Sequence, residues 1–417
     1  MNKFAHLADT HIGAFRQPTL QKLVLDAFIS AMEECIQRRV DFIVISGDLF
    51  DSNIPNLAVA NQAVRKMKEV KDSGIPIYLV YGSHDFSPTQ TSLVDMLESA
   101  GLFRNVSKGA VVDGKLELEV YRDEKTGARL CGISGRRLGI EADLFDSLNR
   151  ELLEAVEGFK VFVFHGSVSE FAPDIMKPNS VPSSNFPRGF SYYAGGHLHD
   201  RLLDQEPGMT LAYPGALFAG GDYQDLEKSA RGMQRGFYVV TFARQLESVE
   251  FVPVKVCDWR ILDCDATSKT SAQVREEVLE ISRNSDVSRR VVLFRVSGEM
   301  ARGKTSDVDF VEARSILRER GALEVLLNYN KLSSKEHVVR SVVADSPSQL
   351  EETLFRERTA AAKFRQKRLS GEAGLSASKE VLRLLKEPRR EEEVKNDYDA
   401  RLLKGVASIL EAEEAFN

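Results

Sequence analysis

The stretch IYLVYGSHD, Ile77 to Asp85, sets an apolar run against a glycine and then a histidine and an aspartate. Such a run after Pro76 reads as a buried strand, and Gly82 lets the chain turn at its end. Side chains that follow a strand in this way stand at its carboxyl end, where α/β proteins gather functional groups. Two earlier stretches have the same form: Phe4 to Ala8 runs into Asp9-Thr10-His11, and Phe42 to Ile45 runs into Gly47-Asp48. Between them Leu20, Leu23, Val24, Ala27, Phe28, Ala31 and Cys35 recur at helical spacing, and a second helix pattern follows Pro55 and ends near Gly74. Strand, helix, strand, helix, strand predicts an α/β fold. Shorter strands follow residue 106 (Leu116 to Tyr121, Val161 to Phe164, Phe237 to Phe242), which predicts mixed rather than purely parallel sheets.

The chain has 417 residues, 43% hydrophobic and 28% charged, enough for two or three domains with apolar cores. No apolar run reaches the ~20 residues of a membrane span, and the strand pattern from Lys3 leaves no room for a signal peptide. Cys35, Cys131, Cys257 and Cys264 form no CxxC pair, so neither a zinc knuckle nor a disulfide framework is expected, and a reducing cytoplasm fits. The net charge of −6 argues against a surface that grips nucleic acid all over; any such contact is local. Ions in a carboxylate-lined site can also carry the attraction for phosphate.

Near Val256 the texture changes. Residues 256–342 read as strand, helix (Ala272 to Ser282), strand (Val291 to Val296), helix (Val308 to Arg320) and strand (Leu323 to Asn328), a small αβ module. From residue 343 the chain is polar and charged. It carries the basic run FRERTAAAKFRQKR (Phe355 to Arg368), then Gly371 and Gly374, expected to loosen the chain. Val381, Leu384 and Leu385, and then Leu402, Val406, Ile409 and Leu410, mark two amphipathic helices that either dock on a partner or fold back.

Five positions after apolar strands carry metal-ligand residue types: Asp9-Thr10-His11, Gly47-Asp48, Gly82 to Asp85, Phe164-His165 and Gly196-His197-Leu198-His199. Five of the seven histidines lie in them, leaving His6 and His337 outside. Two ions ~3.5–4 Å apart can hold a phosphodiester and activate a bridging water. A central carboxylate can bridge both, and Asp48 is the candidate; the mixed O/N set suits manganese, iron or zinc better than magnesium. One histidine, His84, is expected to stay off the ions and act as general acid on the leaving oxygen.

In this order the motifs resemble those of the calcineurin-like metallophosphoesterases. The words FAHLADTHIG, DFIVISGDLFD, VYGSHDFSP, GGHLH, YPGA and RGFYVV are similar to those of the SbcD-like nuclease subunits of double-strand-break repair nuclease–ATPase complexes, of archaeal type. The resemblance covers about residues 1–255. It implies a metallophosphoesterase nuclease domain over 1–255, an αβ capping, DNA-contacting domain over 256–342, and a charged linker with a helical ATPase-binding segment over 343–417. Carried over, Asp9, His11, Asp48 and His197 would hold one ion, and His165 and His199 the other with Asp48 shared; His84 would be catalytic. It further implies two manganese ions per subunit and degradation of duplex ends from 3′ to 5′ with cutting of single strands. A homodimer, an SMC-like coiled-coil ABC ATPase as partner and a cytoplasmic, nucleoid-associated location are implied too.

Ser83 departs from that pattern, in which asparagine is usual. Its shorter hydroxyl either reaches an ion, directly or through water, or serves only the turn. His6 reads as a packed or supporting residue rather than a ligand, His337 as a surface residue, and Asp85 as orienting its loop by hydrogen bonds. Arg136, Arg137 and Arg201 could contact phosphates or equally be solvent-exposed ion-pair partners, so no DNA-binding residue is assigned. Two other readings compete with the nuclease: a small-molecule phosphoesterase or protein phosphatase on the same core, and a DNA-tethering scaffold whose site is weakened by Ser83.

Overall fold

The first elements alternate as the hydrophobic pattern predicts: β1 (Asn2–Leu7), α1 (Pro18–Gln37), β2 (Phe42–Ser46), α2 (Leu57–Asp72), β3 (Ile77–Val80), α3 (Leu93–Ser99) and β4 (Arg104–Asn105). This computed structural model describes residues 1–86, 91–135, 141–335, 347–361, 369–390 and 395–410; Arg136, Arg137, His337 and the expected boundary at 342/343 lie outside them. Pro18 opens α1, and Leu20, Leu23, Val24, Ala27, Phe28, Ala31 and Cys35 are all buried on it. The cap of α2 is Asn56, whose side chain accepts the Ala58 N–H; Pro55 stands one place further out than the sequence suggested.

Two short strands then form a separate hairpin, β5 (Gly109–Val112) and β6 (Lys115–Leu118). The chain continues through β7 (Tyr121–Arg122), β8 (Arg129–Ile133), α4 (Glu141–Ser147), α5 (Arg150–Glu154), β9 (Lys160–His165) and β10 (Tyr192–Gly196). After these come β11 (Leu202–Glu206), β12 (Met209–Tyr213), α6 (Tyr223–Ala230), β13 (Gly236–Phe242) and β14 (Leu246–Pro253). One six-stranded sheet has the order β14-β13-β1-β2-β3-β4 and the other β11-β12-β10-β9-β8-β7. Both are mixed: β1 to β4 run parallel with β13 antiparallel beside β1, and β8, β9, β10 and β12 run parallel with antiparallel edges.

Period-two alternation sets the layering. Phe42 and Val44 face the second sheet while Ile43 and Ile45 face α1 and α2; on β9, Val161 and Val163 face the first sheet while Phe162 and Phe164 face away. The interior between the sheets mixes aliphatic and aromatic side chains, with Phe4 stacked on Phe42 at 4.9 Å and Phe159 on Phe242 at 4.0 Å. Removing one such ring would cost about 3–5 kcal/mol. The two sheets are thereby held face to face, with the carboxyl ends of β1, β2, β3, β9 and β10 at one rim.

The remaining part of the first compact unit, Met1–Ser333, is a βαβαβ module. It comprises β15 (Asp258–Asp265), α7 (Ser271–Asn284), β16 (Arg290–Met300), α8 (Phe310–Glu319) and β17 (Glu324–Asn328), with β18 (Leu332–Ser334) on β16. The three main strands are parallel, and the module has its own core of Val278, Phe294, Leu317 and neighbours. Trp259 stacks on Phe218 at 5.6 Å, and Arg295 pairs with Glu227 of α6.

The second compact unit holds α9 (Pro347–Ala361), α10 (Gly371–Leu385) and α11 (Lys395–Leu410). Two expectations change here. Part of the segment read as a charged linker is helix α9, with residues 362–368 of the basic run outside the described ones. Gly371 and Gly374 do not loosen the chain but lie in α10, where a Cβ on Gly374 would come 3.1 Å from Thr359 of α9. The helices pack on one another, with Lys379 paired to Glu352, Lys386 to Glu351 and Arg401 to Glu387. These pairs stay largely exposed, so each adds little to the packing. Among the described residues, no helix is long and apolar enough to cross a membrane.

Candidate metal centre

The loops after β1 and β2 are tied together by backbone bonds: Asp9 N–H to Gly47 O, His11 N–H to Asp48 O and Ile12 N–H to Leu49 O, all 3.0–3.1 Å. The Thr10 hydroxyl donates to Leu49 O at 2.8 Å. The two loops therefore turn as one, and Asp9, His11 and Asp48 are all nearly fully buried. Their backbones are left-handed, with φ of 48°, 42° and 50°, a conformation that costs non-glycine residues of order 1–3 kcal/mol each. His197, just past β10, has φ 95°. Such strain persists where surrounding contacts over-determine it, and here it marks residues aimed into a common space.

The loop after β3 lies directly across Asp48. A Cβ on Gly82 would stand 2.1 Å from Asp48 Oδ1, so only glycine fits. The His84 N–H donates to that oxygen at 2.9 Å. Asp85 is fully buried and accepts N–H bonds from Gly82 (2.8 Å), Leu49 and Phe50 (both 3.3 Å), the loop-orienting part expected of it. Ser83 is half-buried in the same loop.

From the second sheet, His165 Nδ1 donates to Ser46 O at 2.9 Å, which leaves Nε2 to face Asp48 Oδ2 at 3.3 Å. That Nε2 is buried and makes no hydrogen bond. His11 Nε2 and His199 Nε2 approach to 3.2 Å, and His11 Nε2 lies 3.7 Å from Asp48 Oδ2. Converging imidazole nitrogens, buried carboxylates and an orphaned ring nitrogen are what a bound cation would satisfy. Donor atoms within 4.8 Å of one another come from Asp9, His11 and His199, from Asp9, Asp48 and His165, and from His11, Asp48 and His84. The donor set fits a dinuclear metal centre with Asp48 between its halves.

The donor atoms group differently from the division of ligands that the resemblance implies. His199, not His197, joins Asp9 and His11, whereas the His197 ring lies 5.2 Å from that of His165. In an extended segment residues two apart share a side; the left-handed turn at His197 breaks that alternation and sends the two rings to opposite halves. The His197 N–H also grips the Asp9 carboxylate at 2.9 and 3.1 Å.

Electrostatics follow from this crowding. Burial alone would lower His11, but Asp51, Asp48 and Asp9 outweigh it and raise it to about 9. His165 is likewise lowered by burial and lifted by Asp48 and Asp9 to about 10. Burial works against the Asp48 charge, yet His165, His11 and His84 hold its carboxyl well below the usual range. His197 falls to about 3 through burial and the neighbouring His165. Asp85 rises to about 6 through burial and then Asp48.

His84 stands at the exposed mouth, its ring edge-to-face with His11 at 5.0 Å. Its Nδ1 lies 2.6 Å from Asp51 O, and since a carbonyl only accepts, Nδ1 carries a proton and Nε2 is turned free. His6 packs beneath the centre, between the Tyr192 hydroxyl and Ser46 Oγ, both at 3.0 Å, and burial lowers it to about 3. Tyr213 of YPGA donates to Gly166 O at 2.9 Å, bracing the loop after β9. Arg201 lies over the Phe251 ring at 4.1 Å, outside the cluster.

Sequence reasoning missed two carboxylates. Asp51 Oδ1 is 3.3 Å from His11 Nδ1, and Asp225 Oδ2 is 2.6 Å from His199 Nδ1. Asp51 follows the second motif by three residues and could have been suspected; Asp225 lies 26 residues from its partner, on a helix with no motif of its own.

Residues 2–201 match the calcineurin-like phosphoesterase family, and with this centre the chain carries a calcineurin-like metallophosphoesterase domain. It is similar to proteins named DNA double-strand break repair protein Mre11. That of Methanococcus maripaludis is 24% identical over 70% of this chain and 77% of its own; that of Archaeoglobus fulgidus is 28% identical over 68% and 66%. That of Saccharolobus solfataricus is 25% identical over 72% and 77%. The family match over residues 2–201 and these similarities together support a metal-dependent phosphodiesterase of the Mre11 type.

Proposed function

We propose that this chain is a DNA double-strand-break repair nuclease. In this reading it hydrolyses phosphodiesters with two manganese ions, degrading duplex ends from 3′ to 5′ and cutting single strands. The observation that supports it most is the convergence of Asp9, Asp48, His11, His165 and His199 from loops of two sheets, with His84 at the mouth. Asp9, His11 and His199 would hold one ion and His165, His197 and Ser83 the other, with Asp48 reaching both halves. When bound, the ions supply Lewis acidity toward the phosphoryl group and a water acidic enough to attack at neutral pH. The chain's own residues do the rest. Asp48 and Asp9 balance the positive charge, and Asp85 fixes the His84 loop. His84, with one proton on Nδ1 donated to Asp51 O, acts as general acid in the form that carries a second proton on Nε2 and delivers that proton to the leaving oxygen.

The acidic net charge of −6 agrees with ions, rather than the whole surface, drawing in the backbone. The βαβαβ module serves as the capping domain that contacts DNA. The protein works as a cytoplasmic, nucleoid-associated homodimer, with α9 to α11 binding an SMC-like coiled-coil ATPase.

The test is manganese-dependent degradation of linear duplex DNA by wild type and His84→Ala, beside a chromogenic phosphodiester. Wild type degrades DNA, and His84→Ala loses roughly 10²–10⁴-fold while still binding manganese. Activity on the chromogenic ester but not on DNA would favour a small-molecule phosphodiesterase. DNA binding with no cleavage would favour a tethering scaffold.

A further inference from the structure

The face of His199 turned away from the metal centre is enclosed by groups that take no part in the reading above. Its Nδ1 lies 2.6 Å from Asp225 Oδ2, and the same oxygen accepts the Gly220 N–H at 2.8 Å. Asp225 is only 3% exposed and Arg235 only 6%. Arg235 spans the arrangement: Nη1 donates to His199 O at 2.5 Å, Nη2 to Asp225 O at 3.1 Å and to Asp225 Oδ1 at 3.3 Å, and Nε to Ser229 Oγ at 2.9 Å. The Asp225 backbone is set by the cap of α6, where Asp222 Oδ1 accepts its N–H at 2.8 Å. Gly220 closes one side of the ring, since a Cβ there would stand 1.8 Å from His199 Cε1. Ring edge, ring face and carbonyl of one candidate ligand are thus each held by a different group.

A buried Asp–Arg pair can be purely structural, because each charge compensates the other. Here the carboxylate is divided. Oδ1 meets Arg235 while Oδ2 is given to His199 and to the Gly220 N–H. With Nδ1 donating to Oδ2, Nε2 is left without its proton and directed at His11. A carboxylate behind an imidazole fixes its tautomer and orientation and raises its basicity as a ligand.

We propose that Asp225, itself held by Arg235, is a positioning residue that sets His199 as a ligand for one ion of the pair. This rests on the two-metal reading. The same helix also carries Glu227, which pairs with Arg231 and Arg295 and touches none of the candidate ligands, so it supplies a control on α6.

The experiment is manganese titration of the full chain, resolving the two sites, for wild type, Asp225→Asn, Arg235→Lys and Glu227→Gln. Thermal unfolding of each metal-free protein is followed alongside. Asp225→Asn is expected to weaken one of the two ions about 10–100-fold and leave the other near wild type. Arg235→Lys weakens the same ion by less, and Glu227→Gln leaves both unchanged. If Asp225→Asn does not fold, Arg235→Lys carries the test by itself. Two manganese ions bound with wild-type affinity by both site variants would overturn the proposal and spare the two-metal reading. Equal weakening of both ions, in step with a fall in metal-free stability, would also overturn it, by showing a structural role only. A wild type that binds no pair of ions would overturn both.

Discussion

The two six-stranded sheets bring different chemistry to one rim. The first supplies both carboxylates, Asp9 and Asp48, with His11 and His84 beside them; the second supplies only imidazoles, His165, His197 and His199. The first sheet reaches the centre through left-handed turns at Asp9, His11 and Asp48, the second through one at His197. Each half is incomplete. Two buried carboxylates without cations, or buried ring nitrogens without partners, would each carry a desolvation penalty of several kcal/mol. Contacts across the interface offset it: His165 Nε2 against Asp48, His197 N–H on Asp9, His199 against His11. The centre is therefore a property of the closed sandwich and not of either sheet.

The largest effect is expected where the halves meet. Asp48→Asn removes the one carboxylate among the described residues that lies within 3.7 Å of ring nitrogens from both sheets. Manganese-dependent nuclease activity should fall at least about 10³-fold, and metal titration should show loss of more than one ion. If one ion still binds with wild-type affinity and activity survives, the halves are more independent than their contacts suggest.

A smaller effect is expected from pH. Without ions, His11 and His165 are raised to about 9 and about 10, so both carry protons near neutrality. Ions binding there must expel them. Affinity for manganese should rise between about pH 6.5 and 9, by up to about tenfold per unit for each proton displaced. Proton release measured in weakly buffered solution checks the sign. Affinity that is flat or falls over this range would show that the rings stay neutral without metal.

The smallest effect is expected at Ser83, where the first sheet offers a hydroxyl in place of an amide. Ser83→Asn should strengthen one ion by about tenfold or less, read by the same titration, with little change in the other. No change would assign Ser83 to the turn alone.

Much of this was legible along the chain. Apolar runs followed by Asp9, Asp48, His84, His165 and His197 mark strand ends, because runs this short, rich in β-branched and aromatic residues and bounded by glycine or proline, favour a buried strand over a buried helix. The βαβαβ module was visible in its alternation, with α7 and α8 starting and ending within a few residues of the pattern. Gly374 was misread, because glycine signals both a loose chain and a close backbone approach: a Cβ there would meet Leu369 O at 2.2 Å and Thr359 of α9 at 3.1 Å, and only the folded chain distinguishes the two.

By itself the sequence determined the kinds of donor, their order, and the strands they follow, since residue chemistry and period-two burial are local properties. The tertiary structure decided which histidine ring lies with which group of donors, because a left-handed turn at His197 overrides alternation. It also decided that Asp51 stands behind His11 and that Asp225 and Arg235 stand behind His199. Asp51 meets His11 through the tied loops after β1 and β2, while Asp225 and Arg235 meet His199 through α6 and the segment before β13, and a contact between residues far apart in the chain leaves no pattern in either stretch.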